Sequence, residues 1–447
     1  MPELLPHQQE AVDFLSRTKG KALLADDMGL GKTVSAIAYL NKHKAWPVLI
    51  VCPASVKGNW KNEIKQWSSA TTAIIEGETP CEGEITHDAI VINYNILWHQ
   101  LPWLLEQQFT TVIFDECHAL QSTETKQTKA ALQIAARCPS VLGLSGTPIA
   151  NRPSDFFAVL HCIRPDLFPN FSDYAWKYCD PKYNDSYGKW SYQGATNLSE
   201  LHELIKPFTL RRKKDILNLP KQTVKLEIVE MENDTRYWEY HEAYTKVARW
   251  GAWSKSKNKG ADKLSLTTKL LMEVARCKAR NTVRWIRNWL EANPNEKMIV
   301  FCTHTAMLDV IARRSLDDVS QVLVINGAVA SAKRTKIIKD FQDNPHIRLI
   351  VCNIVAAGAG ITLTAAAKTV FAEMPWSPRH VLQARDRNFR IGQTRETVVT
   401  YLVTKGTIEE KLCKVLQEKQ LVSEQIIDGE KQNTMNVLDL LVQEMAR

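Results

Sequence analysis

LLADDMGLGKTVSAIAYL (residues 23–40) runs from an apolar strand signal through a glycine-containing turn into a helical pattern. Gly29, Gly31, Lys32 and Thr33 have the spacing of the end of a phosphate-binding loop, in the strand–turn–helix context such a loop requires. The usual pattern also places a glycine five residues before Gly31, and Asp26 stands there instead. A chance run of glycines is therefore the competing reading. In the phosphate reading, backbone N–H groups from Gly29 to Lys32 face a phosphate at the positive end of the helix. Lys32 then reaches the β- and γ-phosphates, and Thr33 ligates magnesium.

A second segment decides in favour of chemistry. TTVIFDECHAL (110–120) puts Asp115 and Glu116 at the end of an apolar strand. The first carboxylate can hold magnesium and the second can polarise an attacking water. Adjacent carboxylates at a strand end also serve as helix caps. Following a phosphate loop in this order, they fit capping poorly. Leu144–Pro148 (LSGTP) has a strand-to-turn form that can couple a nucleotide site to motion, and Gly358–Ile361 (GAGI) is a turn suited to close backbone approach. QARDRNFRIGQ (383–393) places Arg387 and Arg390 three apart, on one side of an expected helix. Such a pair suits charge neutralisation on a transferring phosphoryl group; salt bridging to nearby acids is the plainer alternative.

Short apolar runs alternate with helical patterns along the chain. They lie at 22–26, 48–52, 89–93, 112–116 and 140–145, and again at 298–302, 321–326, 347–353, 369–373 and 398–403. Continuous apolar strands separated by helices predict parallel sheets covered on both faces, hence an α/β protein of two tandem lobes. Its 447 residues exceed one ordinary core. The first lobe is expected over 1–222 with a helical, aromatic protrusion at 153–207. The second is expected over 223–447, with a helical insertion at 234–292 and a C-terminal helical tail at 406–447. The polar stretch 254–263 reads as a loop, and 438–447 as an amphipathic helix able to dock a partner or pack on the second lobe.

Composition excludes several classes. No apolar run reaches the roughly 18 residues of a membrane span, and the N-terminus lacks a signal-peptide pattern. The 10 cysteines include no CxxC pair, so a reducing compartment and no zinc site are expected. The net charge of +8 is unevenly placed. Residues 246–287 hold 12 Lys or Arg against two acids, and 206–225 hold seven against Asp215 alone. Such clusters are the footprint of a polyanion binder. Lys269, Arg276, Arg280, Arg284 and Arg287 share one helical face beside an apolar one, so direct nucleic-acid contact and a plain amphipathic helix both fit.

In this order the motifs resemble a Swi/Snf-type ATPase of helicase superfamily two, closest to the annealing-helicase (HARP-type) branch, in which DDMGLGKT is usual. The resemblance runs from LLPHQ (4–8) to about residue 428. It implies two RecA-like lobes with ATP and Mg2+ held between them. Lys32, Thr33 and Asp115 would hold nucleotide and magnesium, Glu116 would position water, and Arg387 and Arg390 would complete the site. Gln8 would read the adenine edge, with Asp27, Met28, Gly29, Gly31 and Gly360 also near the cofactor. Lys57 and Trp60 in 51–60, Asn93 and Tyr94 in 92–97, Thr303 and His304 in 302–305, and Asn326 and Gly327 in 325–327 would line a DNA track, joined by Arg276, Arg280 and Arg284. LRRKKDILNLP (210–220) is similar to the family's linker. Phe389, Thr362 and TAAAK (364–368) depart from the family pattern without removing a catalytic group.

The activity implied is ATP-driven translocation on double-stranded or branched DNA without sequence preference, by a monomer with a possible protein partner at its tail. The implied location is cytoplasmic and DNA-associated, or nuclear in a eukaryote. The alternatives are a strand-separating DNA or RNA helicase, a motor subunit active only within a larger complex, and a silent scaffold. The last would show eroded catalytic positions, and none is eroded.

Overall fold

β2 (Val48–Cys52) is buried at every residue, and so are β4 (Ala89–Asn93) and β6 (Ser140–Leu144); only a sheet covered by helices on both faces satisfies such strands. In the computed structural model, β1 (Lys21–Leu24), β3 (Thr72–Ile74) and β5 (Thr111–Asp115) join them. A short ribbon, β7 (Lys182–Asn184) with β8 (Lys189–Ser191), precedes β9 (Thr209–Leu210), which completes the first sheet. The sheet order is β3-β4-β2-β5-β6-β1-β9, and every pairing is parallel. The structure describes residues 2–149, 151–184, 188–232, 234–250, 259–356, 361–375 and 377–429.

The chain divides into two compact units. The first comprises residues 1–182, 190–217 and 419–432, and the second 183–189, 218–418 and 433–447. The helix Ile408–Asp428 thus contributes its first part to one unit and its last turns to the other, whereas the sequence reading places the whole tail with the second lobe. Ile426 and Ile427 are buried in the first unit's core. That core lies on one face of the sheet, where Leu49, Val51, Ile90, Ile92, Val112 and Phe114 alternate inward.

The second unit's sheet uses β10 (Gln222–Ile228), β11 (Met298–Cys302), β12 (Val322–Ile325), β13 (Leu349–Asn353), β14 (Lys368–Phe371) and β15 (Thr397–Val403). Its order is β10-β15-β14-β11-β13-β12, again all parallel. All ten expected strands are present with ends shifted by at most two residues, and both units are parallel α/β as expected. Three strands of the two sheets escape the sequence reading, β3, β9 and β10. They are sheet-edge segments of intermediate burial, so none carries the continuous apolar run that marks the others. The 254–263 stretch is not a loop throughout: the 34-residue helix Lys259–Ala292 begins inside it, and 254–258 lie outside the described residues. The expected tail helix at 438–447 also lies outside them. Among the described residues, no helix is long and apolar enough to cross a membrane.

One buried ion pair stands out in the second unit. Lys278 is fully buried, and its Nζ donates to Glu409 Oε1 at 2.7 Å and to the Leu402 carbonyl at 2.8 Å. Glu409 Oε2 accepts the Thr404 N–H at 2.9 Å. Glu409→Leu leaves a buried ammonium without its counter-charge and is expected to cost about 3–5 kcal/mol. Denaturant unfolding of the variant checks this; a loss under about 1 kcal/mol contradicts it.

Candidate nucleotide site

A parallel sheet delivers chemistry at the carboxyl ends of its strands. In the first unit β1, β6 and β5 are neighbours, so the loop after β1, the Ser145–Thr147 turn after β6 and Asp115–Glu116 after β5 emerge side by side. Gly29 and Gly31 take positive φ of 90° and 79°, which a side chain resists, and Gly31 caps the helix Lys32–His43. A β-carbon at position 31 would lie 2.2 Å from Gln8 Nε2, so the buried Gln8 packs directly against the loop. A β-carbon at Gly146 would lie 2.7 Å from Met28 Cγ, which sets the turn after β6 against the same loop. Lys32 Nζ donates to the carbonyls of Asp26 (2.7 Å) and Asp27 (3.2 Å).

The structure gives Asp26 a use that a glycine could not have. Its buried carboxylate accepts from Arg212 at 3.1 and 2.5 Å, and Arg212 also donates to the His7 carbonyl and to Glu10. Asp27 accepts from Arg211 at 2.6 Å and from the Lys214 N–H at 3.0 Å. Arg211 continues to the Ala25 carbonyl and to Asp428, at 2.9 and 2.8 Å. The loop is therefore cuffed by two arginines, and these carry part of the 206–225 cluster that sequence reading offers to a polyanion. The missed signal was the pairing of two sequential acids with two sequential arginines across the β1–β9 ladder, where Asp27 N–H donates to the Arg212 carbonyl.

Asp115 ends β5 at a site dry enough that burial, with the Glu116 charge beside it, pushes its carboxyl up to about 7. The Trp60 indole N–H and the Lys32 ammonium pull the other way. Asp115 Oδ1 accepts the Glu116 N–H at 3.0 Å and Oδ2 accepts Trp60 Nε1–H at 2.7 Å. Glu116 holds a left-handed backbone (φ 50°, ψ 51°), a conformation that costs a non-glycine residue on the order of 1–3 kcal/mol. Its carboxylate accepts from Ser145 Oγ at 3.2 Å and lies 3.3 Å from His118 Nδ1, which is 2.9 Å from the same hydroxyl. The Ser145 turn is thus wired to the second carboxylate. The carboxylates and the Thr33 hydroxyl are hard oxygen donors of the kind magnesium prefers, and a carboxyl raised by burial is one that a cation would return to its charged form.

Comparison with known proteins gives the family. Residues 7–283 match the SNF2-related domain, and residues 281–392 match the helicase conserved C-terminal domain. The chain belongs to the SNF2-related family. The DNA annealing helicase and endonuclease ZRANB3 of Homo sapiens is 31% identical over 444 residues, 96% of this chain and 41% of that protein. The SWI/SNF-related matrix-associated actin-dependent regulator of chromatin subfamily A-like protein 1 of Xenopus tropicalis is 34% identical over 431 residues, 93% and 44% respectively. The chain thus spans less than half the length of either relative. The Sulfolobus solfataricus SWI2/SNF2 ATPase core in complex with dsDNA aligns over 96% of this chain and 94% of that one, at 26% identity and a TM-score of 0.45.

Within this SNF2-related frame several residues expected on a DNA track sit elsewhere. Trp60 and Tyr94 are 1% and 4% exposed, so neither ring faces solvent. Tyr94 donates to the Asp115 carbonyl at 2.8 Å. Lys57 is buried with its ammonium on the Ile75 carbonyl (3.1 Å) and Glu76 (3.0 Å), and Asn93 closes β4, also buried. Lys57, Trp60 and Tyr94 bury an apolar stem or ring and use the polar tip inside, an outcome that residue type alone does not announce.

In the second unit, Thr303 and His304 follow β11 and both donate their N–H groups to Glu373, at 2.9 and 3.0 Å. His304 Nδ1 is 2.5 Å from the same carboxylate. Asn326 caps a turn onto the Ala328 N–H at 3.1 Å, and Gly327 is exposed. Arg387 and Arg390 are not on the helix, which ends at Arg385; both lie in the turn after it and donate to the Ile361 carbonyl at 3.3 and 3.4 Å. Gly360 lies outside the described residues. The basic stripe is partly answered by acids: Arg276 pairs with Glu273 at 2.5 Å, Arg280 and Arg284 lie 3.8 and 3.7 Å from Glu232, and Arg287 pairs with Asp317 at 2.6 Å.

The Glu373 carboxylate raises the His304 pKa above its ordinary 6.5. The folded state thus favours imidazolium, so the pair stabilises below pH 6.5 and that contribution is lost as pH rises through the folded value. The melting-temperature gap between wild type and His304→Gln is expected to be wider at pH 6 than at pH 9. Thermal melts at the two pH values check it, and an equal gap contradicts it.

Proposed function

We propose that the chain is an ATP-dependent double-stranded DNA translocase, hydrolysing ATP with magnesium and acting on duplex or branched DNA without sequence preference. The observation that carries this reading is the phosphate loop and Asp115–Glu116 at the carboxyl ends of nearby parallel strands, in a chain of the SNF2-related family. Lys32 and the N–H groups from Gly29 onward bind the phosphates, and Thr33 and Asp115 hold magnesium. The metal, when bound, offsets charge on the phosphates as the γ-phosphoryl transfers to water. Glu116 orients the attacking water and takes its proton at a carboxylate oxygen, held in place by Ser145. The reading assigns Arg387 and Arg390 to charge neutralisation and Gln8 to the adenine edge. Thr303, His304, Asn326, Gly327 and the arginine stripe would meet phosphates, giving sequence-tolerant, salt-sensitive binding. DNA annealing, the task named for the human relative, is one that such a motor could power, and remodelling of branched DNA is another.

ATP hydrolysis by the purified chain, measured without nucleic acid and with duplex, forked and single-stranded DNA and with RNA, tests it. Duplex or forked DNA should stimulate most, and Lys32→Ala should lower the stimulated rate by about 100-fold or more. Preferential stimulation by single-stranded RNA, or no hydrolysis under any condition, overturns the reading.

A further inference from the structure

Two aromatic side chains that sequence reading gives to nucleic acid turn inward and grip one residue. Trp60 donates its indole N–H to Asp115 Oδ2 at 2.7 Å, and Tyr94 donates its hydroxyl to the Asp115 carbonyl at 2.8 Å. They come from different segments. Trp60 lies in the first turn of the helix Lys57–Trp67, which follows β2, and Tyr94 comes directly after β4. β2 sits between β4 and β5, so both segments leave the sheet at the edge where Asp115 ends β5. Each ring is buried while residues near it in the chain face outward: Gly58, Asn59 and Lys61 around Trp60, and Asn95 after Tyr94.

A carboxylate oxygen has two acceptor positions, and an indole has one N–H with one direction. Asp115 Oδ2 is therefore oriented by wherever the helix Lys57–Trp67 places Trp60. Hydrogen bonds weaken steeply with misalignment, so a small shift of that helix reaches the carboxylate directly. The plainer alternative is that both residues are core aromatics whose polar tips merely found acceptors, as buried Trp and Tyr usually do. Convergence of two separate segments on one carboxylate-bearing residue favours a specific use.

We propose that Trp60 and Tyr94 are positioning residues that transmit nucleic-acid engagement of residues 51–61 and 92–97 to the Asp115 carboxylate, so that magnesium-dependent hydrolysis responds to DNA. This rests on the translocase reading and adds the route by which its substrate sets the rate. Outward-facing groups such as Lys61 meet the phosphate backbone, the helix settles, and the indole and phenol fix Asp115 in the orientation that holds magnesium. Neither aromatic touches nucleic acid or nucleotide.

Trp60→Phe and Tyr94→Phe remove one donor each and keep a ring in place. Three quantities are read on the full-length chain: duplex affinity without nucleotide by fluorescence anisotropy, the ratio of duplex-stimulated to unstimulated hydrolysis, and the magnesium concentration giving half-maximal rate. Both variants are expected to bind duplex within about twofold of wild type while the stimulation ratio falls about fivefold or more, a usual size for coupling between two sites. Trp60→Phe should also raise the half-saturating magnesium concentration several-fold. Lys61→Ala should do the reverse, weakening duplex binding while the magnesium dependence of unstimulated hydrolysis stays intact. If Trp60→Phe fails to fold by circular dichroism, Tyr94→Phe, which deletes a single oxygen, decides the matter.

Unchanged stimulation and magnesium dependence overturn the proposal and leave the two as packing. A fall in stimulation that tracks a fall in duplex affinity also overturns it, making them DNA contacts. A wild-type chain that hydrolyses ATP but ignores duplex fails earlier, at the translocase reading, and takes this proposal with it.

Discussion

A carboxylate at the end of a strand buried on both faces is the constraint around which the first unit is built. β5 is apolar until Asp115, where the chain must hold charge in a site dry enough to push that carboxyl up to about 7. Leaving it unsupported would be costly, since a buried charge needs partners. The fold supplies them from three directions, the Glu116 N–H, the Trp60 indole and the nearby Lys32, while the Tyr94 hydroxyl satisfies the backbone carbonyl of the same residue. Each comes from a segment that leaves the sheet at the same edge.

The loop after β1 follows a similar logic. Losing the first glycine of the usual pattern brings in a side chain, and that side chain is an acid that Arg212 clamps. Its neighbour Asp27 is held by Arg211, which also reaches Asp428 at the end of the long C-terminal helix. The loop's shape is set by two ion pairs together with two left-handed glycines, a more polar scaffold than glycine alone provides. Partly buried pairs of this kind are retained less for net stability than for the geometry they impose.

Much of this was legible in the residues. The ten long apolar runs became ten parallel strands because continuous burial leaves a continuous apolar record. Lys32, Asp115 and Glu116 are candidates because phosphate and metal chemistry calls for those types beside strand ends, and the sheet brings the segments after β1 and β5 to one edge. Edge strands could not be read, since half-buried residues have no such record. Which way an amphipathic side chain turns was also hidden: Lys57, Trp60 and Tyr94 have polar tips suited to DNA, yet each tip is used inside. The partners of Arg211 and Arg212 lie about 185 residues away in sequence, a separation that no local pattern reports. Arg387 and Arg390 were read as helical from their spacing, and the helix stops two residues before the first of them.

ATP hydrolysis is proposed to move this chain along duplex DNA. Displacement of a third strand from a triplex formed on a long duplex measures it directly, because only directed movement along the duplex strips the third strand. The account predicts displacement that requires hydrolysable ATP and magnesium and is absent with Lys32→Ala. Vigorous duplex-stimulated hydrolysis that leaves the third strand bound would contradict it.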